Sequence, residues 1–460
     1  MDNITGNEHN NTLLNSLSQL KLKELNTEDE FVNYYVHTSD ARNEGEQDRT
    51  IKTAISIKTS SEPCHILYSG HIGCGKSTEL YRLSRILTEG NYLVCIGNCF
   101  DNLDMKTVKY TDLILFILET LLKYAKDNNI NISKKSLENI ETYWNTVHTI
   151  IGSKVTGAET EINGSVDTRT PRLLARVFSI NVSVRSLLRN DSEMRDEYRR
   201  VIEPQFSKFI DMANDVIDDI CKSCIKKGYN NTLPVILLDQ LEKADPDAAS
   251  ELFEKHSQDL VRLRLHLVIP FPIEMCYKTN YSLIKNYYDY AWILPMIKLR
   301  NWDEETLEYS PFPAGKEVLR SIIYRRIDKE LFADGLLDVM IEKTGGFLRH
   351  LLEVVYEAAL NAVARDGDFI NKNDMTIALD NLQTGISRMF PDSGRSRLER
   401  IANGEKRYSS DDELMEFLRC GAVFEYNGKR WVDLHPLIFD WLNDTRAAKK
   451  EGSIINHDDQ

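Results

Sequence analysis

The sequence lacks the long hydrophobic runs and the excess of basic residues that mark two large classes of protein. No stretch of 18 consecutive apolar residues occurs among the 460, so no segment is expected to span a bilayer. The first residues, MDNITGNEHNN, have neither a basic start nor an apolar core, so no secretory signal is expected. A formal net charge of −14 argues against broad, nonspecific adhesion to nucleic acid or to an anionic membrane.

Cysteine is also scarce, at eight residues in 460. Cys221 and Cys224 form one CxxC pair, and no second pair or paired histidines lie near it to complete a zinc site. We therefore expect reduced, structural thiols in a cytoplasmic chain. The remaining composition, 42% hydrophobic and 28% charged, is typical of a globular protein with two to three domains.

Five apolar runs predict a parallel β-sheet. They are His65–Ser69, Tyr92–Gly97, Val235–Asp239, Leu265–Pro270 and Ala291–Leu299. The first, third and fourth are almost continuously apolar, as strands are when helices cover both faces of a sheet. The alternation of these runs with amphipathic segments predicts an α/β fold, namely a three-layer core around a five-stranded parallel sheet.

The distance between the second and third predicted strands is too long for one crossover, so we expect an insertion there. It is predicted to contain helices near Met105–Lys126 and Lys134–Ile150 and an irregular stretch over Ser153–Ser186. A long amphipathic helix is expected over Ser192–Lys227, kinked or restarted at Pro204.

The changes of pattern along the chain predict its domain organisation. We expect an N-terminal segment over 1–60, a core over 61–300 with an insertion over about 100–230, a helical lid without strands over 301–389, a small mixed domain over 390–445 and a disordered tail over 446–460. In the mixed domain, a helix over Ser410–Arg419 precedes two short strands around Asn427-Gly428, which is a strong hairpin signal. A helix followed by a β-hairpin has the outline of a winged helix.

The stretch GHIGCGKS, which follows the first predicted strand, matches the phosphate-binding pattern GxxxxGK[ST]. Its glycines let backbone N–H groups turn towards a phosphate, and the following helix presents its positive N-terminal end. Lys76 is expected to reach the β- and γ-phosphates, and Ser77 to offer its hydroxyl to Mg²⁺. The predicted nucleotide contacts are Gly70, His71, Ile72, Gly73, Cys74, Gly75, Lys76, Ser77 and Thr78.

The third predicted strand ends in an acidic residue that is expected to bind the metal. Asp239 lies where P-loop proteins carry the carboxylate that completes the magnesium site, so Ser77 and Asp239 are the predicted metal ligands. Gln240 follows, where many ATPases have a glutamate, and an amide can orient water but cannot usefully accept its proton. Glu242, in LLDQLEKAD, is therefore the predicted water-activating residue. The alternative for Glu242 is a solvated surface carboxylate.

With both motifs placed, HILYSGHIGCGKSTELYRL and ILLDQLEKAD resemble bacterial AAA+ or STAND-type P-loop ATPases of the branch near origin-recognition proteins. The resemblance extends over about 65–445 and implies a P-loop NTPase core, a helical lid, a C-terminal winged helix, ATP and Mg²⁺. It also implies an arginine that senses the γ-phosphate at the start of a lid helix. TGGFLRHLLEVV places that role at Arg349, whose alternative is a surface arginine.

Two features depart from the resemblance. Pro270 and Pro272 lie where a polar sensor residue is expected at the end of the fourth strand. The segment after it, EMCYKTNYSLIKNYYDY, contains no arginine, so the arginine finger that AAA+ rings supply in trans is not evident. A missing finger favours a slowly hydrolysing switch over a processive motor.

The function expected from these features is an ATP-dependent conformational switch that acts on a protein partner or through self-assembly. By analogy, the resemblance connects such proteins with bacterial signalling or defence against phage. One alternative is a DNA-handling ATPase, such as an initiator or loader, and another is a nucleotide-bound scaffold without turnover. DNA is the less favoured partner, because the helix before the predicted hairpin carries Asp411, Asp412, Glu413 and Glu416, which repel phosphates. No membrane partner is expected.

Overall fold

The protein is described from a computed structural model. The structure describes residues 13–20, 22–42, 47–58, 61–152, 169–229, 233–388, 394–406, 412–426 and 431–443. No helix in these ranges is both long and apolar enough to cross a membrane.

A five-stranded parallel sheet lies at the centre of the fold, as predicted. Its strands are β1 (His65–Gly70), β2 (Val94–Asn98), β3 (Val235–Asp239), β4 (His266–Phe271) and β5 (Tyr290–Leu294), in the order β2-β3-β4-β1-β5. The third strand matches its prediction residue for residue, whereas β5 ends five positions before the predicted end at Leu299. Because all five strands are parallel, their carboxyl ends lie at one edge of the sheet, where ligands bind in such folds.

Helices cover both faces of the sheet, because successive side chains of each strand point in opposite directions. Along β1, Leu67 belongs to one buried apolar cluster, and Ile66 and Tyr68 belong to another. The covering and intervening helices before β3 are Gln47–Ser56, Lys76–Glu89, Cys99–Asn102, Tyr110–Asp127, Lys134–Ile151, Arg169–Asn190, Ser192–Ile202 and Phe206–Lys227. A 3-10 turn at Glu203–Gln205 separates the last two helices, which confirms the predicted interruption at Pro204.

The prediction of an irregular stretch over Ser153–Ser186 is wrong from residue 169 onward. Arg169–Asn190 is a helix of 22 residues, while 153–168 lie outside the described residues. Its buried residues Leu174, Val177, Val184 and Leu188 form one face, which packs on the helix Tyr110–Asp127. Many of its residues are weak helix formers, so packing rather than local propensity establishes this helix.

Short helical turns connect the later strands of the core. They are Leu241–Lys243, Pro246–Ser250, Glu251–Lys255, Ser257–Leu260, Ile273–Tyr277 and Tyr281–Lys285. On the N-terminal side, a helix over 13–17, Glu28–Tyr34 and Ser39–Arg42 precede the core. Leu13 and Leu20 are fully buried in the apolar cluster of the C-terminal half of the chain. The N-terminal segment is thus packed against the rest of the molecule.

The expectation of no strands after residue 301 is wrong, because an antiparallel hairpin lies there. It consists of β6 (Arg300–Asp303) and β7 (Glu308–Pro311). The Asp303 carboxylate accepts hydrogen bonds from the backbone N–H groups of Glu305 and Thr306, which sets the turn. Short strands with such polar sequences carry no apolar alternation for a pattern to detect.

Four helices follow, as predicted for the lid: Pro313–Tyr324, Leu336–Lys343, Leu348–Ala364 and Lys372–Ser387. A 3-10 turn, Lys329–Leu331, lies after the first of these helices. We call these four helices the lid and Leu348–Ala364 the sensor helix.

The C-terminal unit has the order expected of a winged helix. It contains Arg395–Ala402, Asp412–Cys420, the antiparallel strands β8 (Val423–Tyr426) and β9 (Trp431–Leu434), and a helix over 436–443. Ser410, the Asn427-Gly428 turn and the tail over 446–460 lie outside the described residues. The predicted domain boundaries stay predictions.

Candidate nucleotide-binding site

The loop between β1 and the helix Lys76–Glu89 is built on glycine backbone conformations. Gly73 and Gly75 have φ angles of 95° and 105°, in the left-handed region that side chains disfavour. A Cβ on Gly73 would also lie 2.9 Å from two side-chain carbons of Arg349. The loop can therefore take this path, with the sensor helix packed against it, only if residue 73 is glycine.

Lys76 opens the helix after the loop and is buried. Its Nζ donates to the carbonyls of Gly70 and His71, at 2.9 Å each, and lies 2.9 Å from Oε1 of Glu242. Burial alone would lower the pKa of Lys76, but Glu242, together with Cys74 and Asp239, outweighs it, and the pKa is raised. The lysine therefore stays charged in the cleft.

Glu242 is only 6% exposed, so it is not a solvated surface carboxylate. One of its oxygens pairs with Lys76, and the other, Oε2, is buried without a hydrogen-bond partner among the described residues. A buried carboxylate oxygen without a partner is costly unless a ligand or water supplies one. Glu242 is thus oriented for a group that arrives with the ligand.

Ser77 and Asp239 lie together, as predicted for metal ligands. The Ser77 hydroxyl donates to Oδ1 of Asp239 at 2.9 Å. Burial and the nearby Glu242 raise the pKa of Asp239 to about 6, a cost that a bound cation would remove. Mg²⁺ commonly takes one or two protein oxygens and completes its shell with phosphates and water. This pair fits such an ion, although no larger cluster of metal-binding side chains occurs in the described ranges.

Arg349 reaches the loop from the lid. It lies in the first turn of the sensor helix, and its stem packs over Gly73. Beside this contact, a cleft of about 130 Å³ lies between the loop and the lid. Its lining includes Ile72, Gly73, Gly75, Lys76, Ser77, Thr78, Glu242 and Arg349. Both sides of the cleft therefore present cationic side chains.

Three of the predicted nucleotide contacts do not line the cleft. Gly70 contributes its carbonyl to Lys76, and Cys74 is buried with 2% exposure. His71 is turned away, towards the C-terminal unit. The N–H of Glu425 donates to His71 Nε2 at 2.8 Å, so Nδ1 carries the proton and donates to the Leu418 carbonyl at 3.3 Å.

Sequence reasoning missed Arg42, which is buried below the loop. Its Nη2 donates to the Cys74 carbonyl at 2.8 Å, its Nε to Thr38 Oγ1 at 3.0 Å, and its Nη1 to the Pro295 carbonyl. Arg42 thereby ties the loop to the chain that leaves β5. No spacing rule links an arginine in the N-terminal segment to this loop, so the sequence offers no signal for it.

The N-terminal segment also borders the cleft. Leu22, Lys23 and Glu24 line it, and the N–H of Leu25 donates to Thr78 Oγ1 at 3.3 Å. The sequence predicts no more than an N-terminal segment over 1–60 here. Its packing was invisible in the sequence because these residues carry no motif.

The C-terminal unit contacts both the loop and the lid. Besides its bonds to His71, it places His435 Nε2 2.9 Å from His350 Nδ1 on the sensor helix. The Tyr426 hydroxyl donates to the Gly345 carbonyl at 2.9 Å, just before that helix. Burial lowers the pKa of His71 to about 3 and that of His350 to about 4, so both rings are neutral near pH 7.

Comparison with known proteins finds similar solved structures only. No family profile and no curated protein matches the chain. Cdc6p from Pyrobaculum aerophilum is 13% identical with a TM-score of 0.37, over 91% of this chain and 99% of that one. The Aeropyrum pernix ORC1 protein in complex with DNA is 10% identical with a TM-score of 0.38, over 94% and 97%.

The ADP form of the Aeropyrum pernix ORC2 protein is 12% identical with a TM-score of 0.39, over 89% of this chain and 94% of that one. Likenesses at this level carry no argument about function.

Proposed function

We propose that the chain is an ATP-binding and ATP-hydrolysing conformational switch of the AAA+ P-loop class that acts on a protein partner or through self-assembly. One observation carries the proposal. Lys76 and Ser77 from the loop meet Asp239 and Glu242 from the end of β3, and Arg349 of the lid faces the same loop. A lysine, a hydroxyl and two acids that meet beside a glycine loop are the groups that phosphoryl transfer requires.

The Lys76–Glu242 pair supports turnover in addition to binding. A triphosphate offers Lys76 stronger partners than a single carboxylate oxygen, so nucleotide binding releases Glu242 from the pair. Glu242 can then accept a proton from the attacking water. Mg²⁺ held by Ser77 and Asp239 would neutralise charge on the β- and γ-phosphates.

The contacts of the lid provide the proposed conformational change. A γ-phosphate that binds both the loop and Arg349 would draw the sensor helix towards the core. The C-terminal unit holds His71 of the loop and His350 of the sensor helix, so this movement would strain its contacts. A ligand shifts such an equilibrium by its difference in affinity for the two states.

The choice of ATP, and a role in bacterial signalling or defence against phage, are finer proposals that rest on the resemblance. DNA handling stays the alternative function, and the experiment below tests it.

The packing of Asp412–Cys420 on the turn Ile273–Tyr277 supports the protein-partner proposal. A helix held against the core is not free to enter a DNA groove.

The first prediction separates binding from hydrolysis. K76A should lose about tenfold or more in ATP affinity, because a charged phosphate ligand is removed. E242Q keeps the shape of the side chain and should bind ATP while hydrolysing about 100-fold more slowly or worse. Fluorescent-nucleotide titration and phosphate release measure the two effects. K255A and E251Q change an exposed ion pair and should match the wild type.

Two further measurements distinguish the switch from the DNA-handling and scaffold alternatives. Size measurements in ADP and in a nonhydrolysable ATP analogue should differ if the chain is a switch. Salt-sensitive stimulation of hydrolysis by duplex DNA would favour the DNA-handling alternative. Binding without any phosphate release would favour the scaffold. Failure of the wild type to bind adenine nucleotide in the presence of Mg²⁺ would overturn all three.

A further inference from the structure

Gln240 and Lys243 flank Glu242, and neither has a role in the mechanism above. Both line the cleft, together with Lys76 and Arg349. The Lys243 Nζ donates to Oε1 of Gln240 at 2.6 Å. The two side chains therefore form one unit beside the acid that is proposed to activate water.

The backbone after β3 brings this pair together. Gln240 has φ 62° and ψ 18°, a left-handed conformation that is uncommon for a residue other than glycine. It caps the 3-10 turn Leu241–Lys243. Side chains three positions apart eclipse one another in a 3-10 helix, so Gln240 and Lys243 face the same way, while Leu241 is buried in the core. Uncommon backbone conformations of this kind are concentrated at functional sites.

No acid among the described residues balances the charge of Lys243. In the described part of the chain its ammonium contacts the Gln240 amide and lies 4.6 Å from the centre of the Phe100 ring, and it makes no ion pair. Lys76, by contrast, is paired with Glu242. Phe100 is 47% exposed, so the ring supports Lys243 at the mouth of the cleft without burying it.

A further cation beside the γ-phosphate would speed hydrolysis. Charge on the γ-phosphoryl oxygens and on the leaving oxygen has to be stabilised, and P-loop NTPases often use an arginine finger supplied in cis or in trans. The helix Tyr281–Lys285 and its neighbouring turns contain no arginine. Lys243 is a cation of the same chain that already lies beside the cleft.

We propose that Lys243 is a catalytic residue that contacts a γ-phosphoryl oxygen, and that Gln240 holds the attacking water. The inference rests on the proposed ATPase function. The water oxygen forms a bond to the γ-phosphorus, and its proton passes to Glu242. The bond from that phosphorus to the β–γ bridging oxygen breaks, and its electron pair stays on the ADP product. Lys243 stabilises the charge of the transferred group in the transition state.

Substitution of Lys243 tests this role. K243M keeps an unbranched side chain against Phe100 but removes the charge, so single-turnover ATP hydrolysis should fall by about 100-fold or more. Its Kd for ATP should change by less than about threefold, since the contact is made in the transition state. K243R should restore much of the rate. Trapping of ADP with aluminium fluoride, an analogue of the transferred group, should be lost in K243M and kept in K243R.

Further variants distinguish catalysis from structure. K255M removes an exposed lysine of the same region and should be unchanged. Q240G accepts the left-handed backbone but lacks the amide, and its rate defect should not add to that of K243M. A wild-type rate in K243M would overturn the proposal, as would equal losses in K243M and K243R together with a lower Tm. If the wild type neither binds nor hydrolyses ATP, the proposed ATPase function itself is wrong.

Discussion

Arg42 shows how a single side chain outside the motif can determine the shape of the phosphate loop. Its three donors connect Cys74, Thr38 and Pro295, so the loop is tied from below to the sheet and to the N-terminal segment. A planar guanidinium holds such partners in a fixed geometry that lysine cannot reproduce. The loop residues themselves were identifiable from their spacing, whereas Arg42 was not.

We therefore expect R42A to weaken nucleotide binding by about tenfold or more, because hydrogen bonds from a charged donor are among the stronger ones. R42K should rescue little of the loss. Titration with a fluorescent ADP analogue measures the effect. R85A removes a partly buried arginine that pairs with Glu28, away from the loop, and should bind normally. Wild-type affinity in R42A would show that the loop keeps its shape without this tie.

At the scale of elements, the β6–β7 hairpin is held by a residue far along the chain. The Asp433 carboxylate, on β9, accepts from Arg300 at 2.7 Å and from the Tyr309 hydroxyl at 2.9 Å. It also pairs with Lys406, which is only 4% exposed. Burial lowers the pKa of Lys406, and the Asp433 carboxylate opposes that shift. One carboxylate thus joins the hairpin to the C-terminal unit.

The corresponding prediction is that D433N lowers the free energy of unfolding by about 3 kcal/mol, because it leaves a buried ammonium without its charge partner. Chemical denaturation at neutral pH measures the change. The double variant K406M/D433N should recover part of the loss, since no unpaired charge remains. D440N breaks the more exposed pair with Lys343 and should cost less than about 1 kcal/mol. Equal losses in D433N and D440N would contradict the argument.

At the scale of the whole molecule, histidines hold together three parts of the chain: His71 of the loop, His350 of the sensor helix and His435 of the C-terminal unit. All three pKa values are lowered, first by burial. Cations add to this, Lys76 beside His71 and Arg349 beside His350. The docked state, in which the C-terminal unit contacts the loop and the sensor helix, therefore requires neutral imidazole rings.

The stability of this junction should depend on pH. Once exposed, these rings bind protons near their ordinary pKa of about 6.5. The docked state resists protonation until about pH 4 or 3. Docking should thus be fully stable above about pH 6.5 and weaken progressively as the pH falls below it. Hydrogen exchange in 412–426 should rise from pH 7.5 to pH 5, after correction for the intrinsic rate.

A matched pair of variants checks the origin of that effect. H350Q removes one titrating ring from the junction and should flatten the pH dependence. H37N changes an exposed histidine and should leave it unaltered. The same slope in H350Q and the wild type would place the cause elsewhere.

The sequence by itself determined the features that depend on neighbours along the chain. Almost continuous apolar runs predicted β1, β3 and β4, because a strand buried on both faces needs apolar side chains at nearly every position. The phosphate loop was recognisable because its glycines meet a local backbone requirement. Asp239 and Glu242 followed from their position at the end of a buried strand, although their roles stay predictions.

Tertiary structure alone decided the features that depend on contacts between distant segments. The helix Arg169–Asn190 exists because a neighbouring helix buries one of its faces, and the β6–β7 hairpin is anchored by Asp433. The pairing of Lys76 with Glu242 and the turning of His71 towards the C-terminal unit have the same origin. Such contacts depend on how separate elements pack, which local periodicity and residue spacing do not encode.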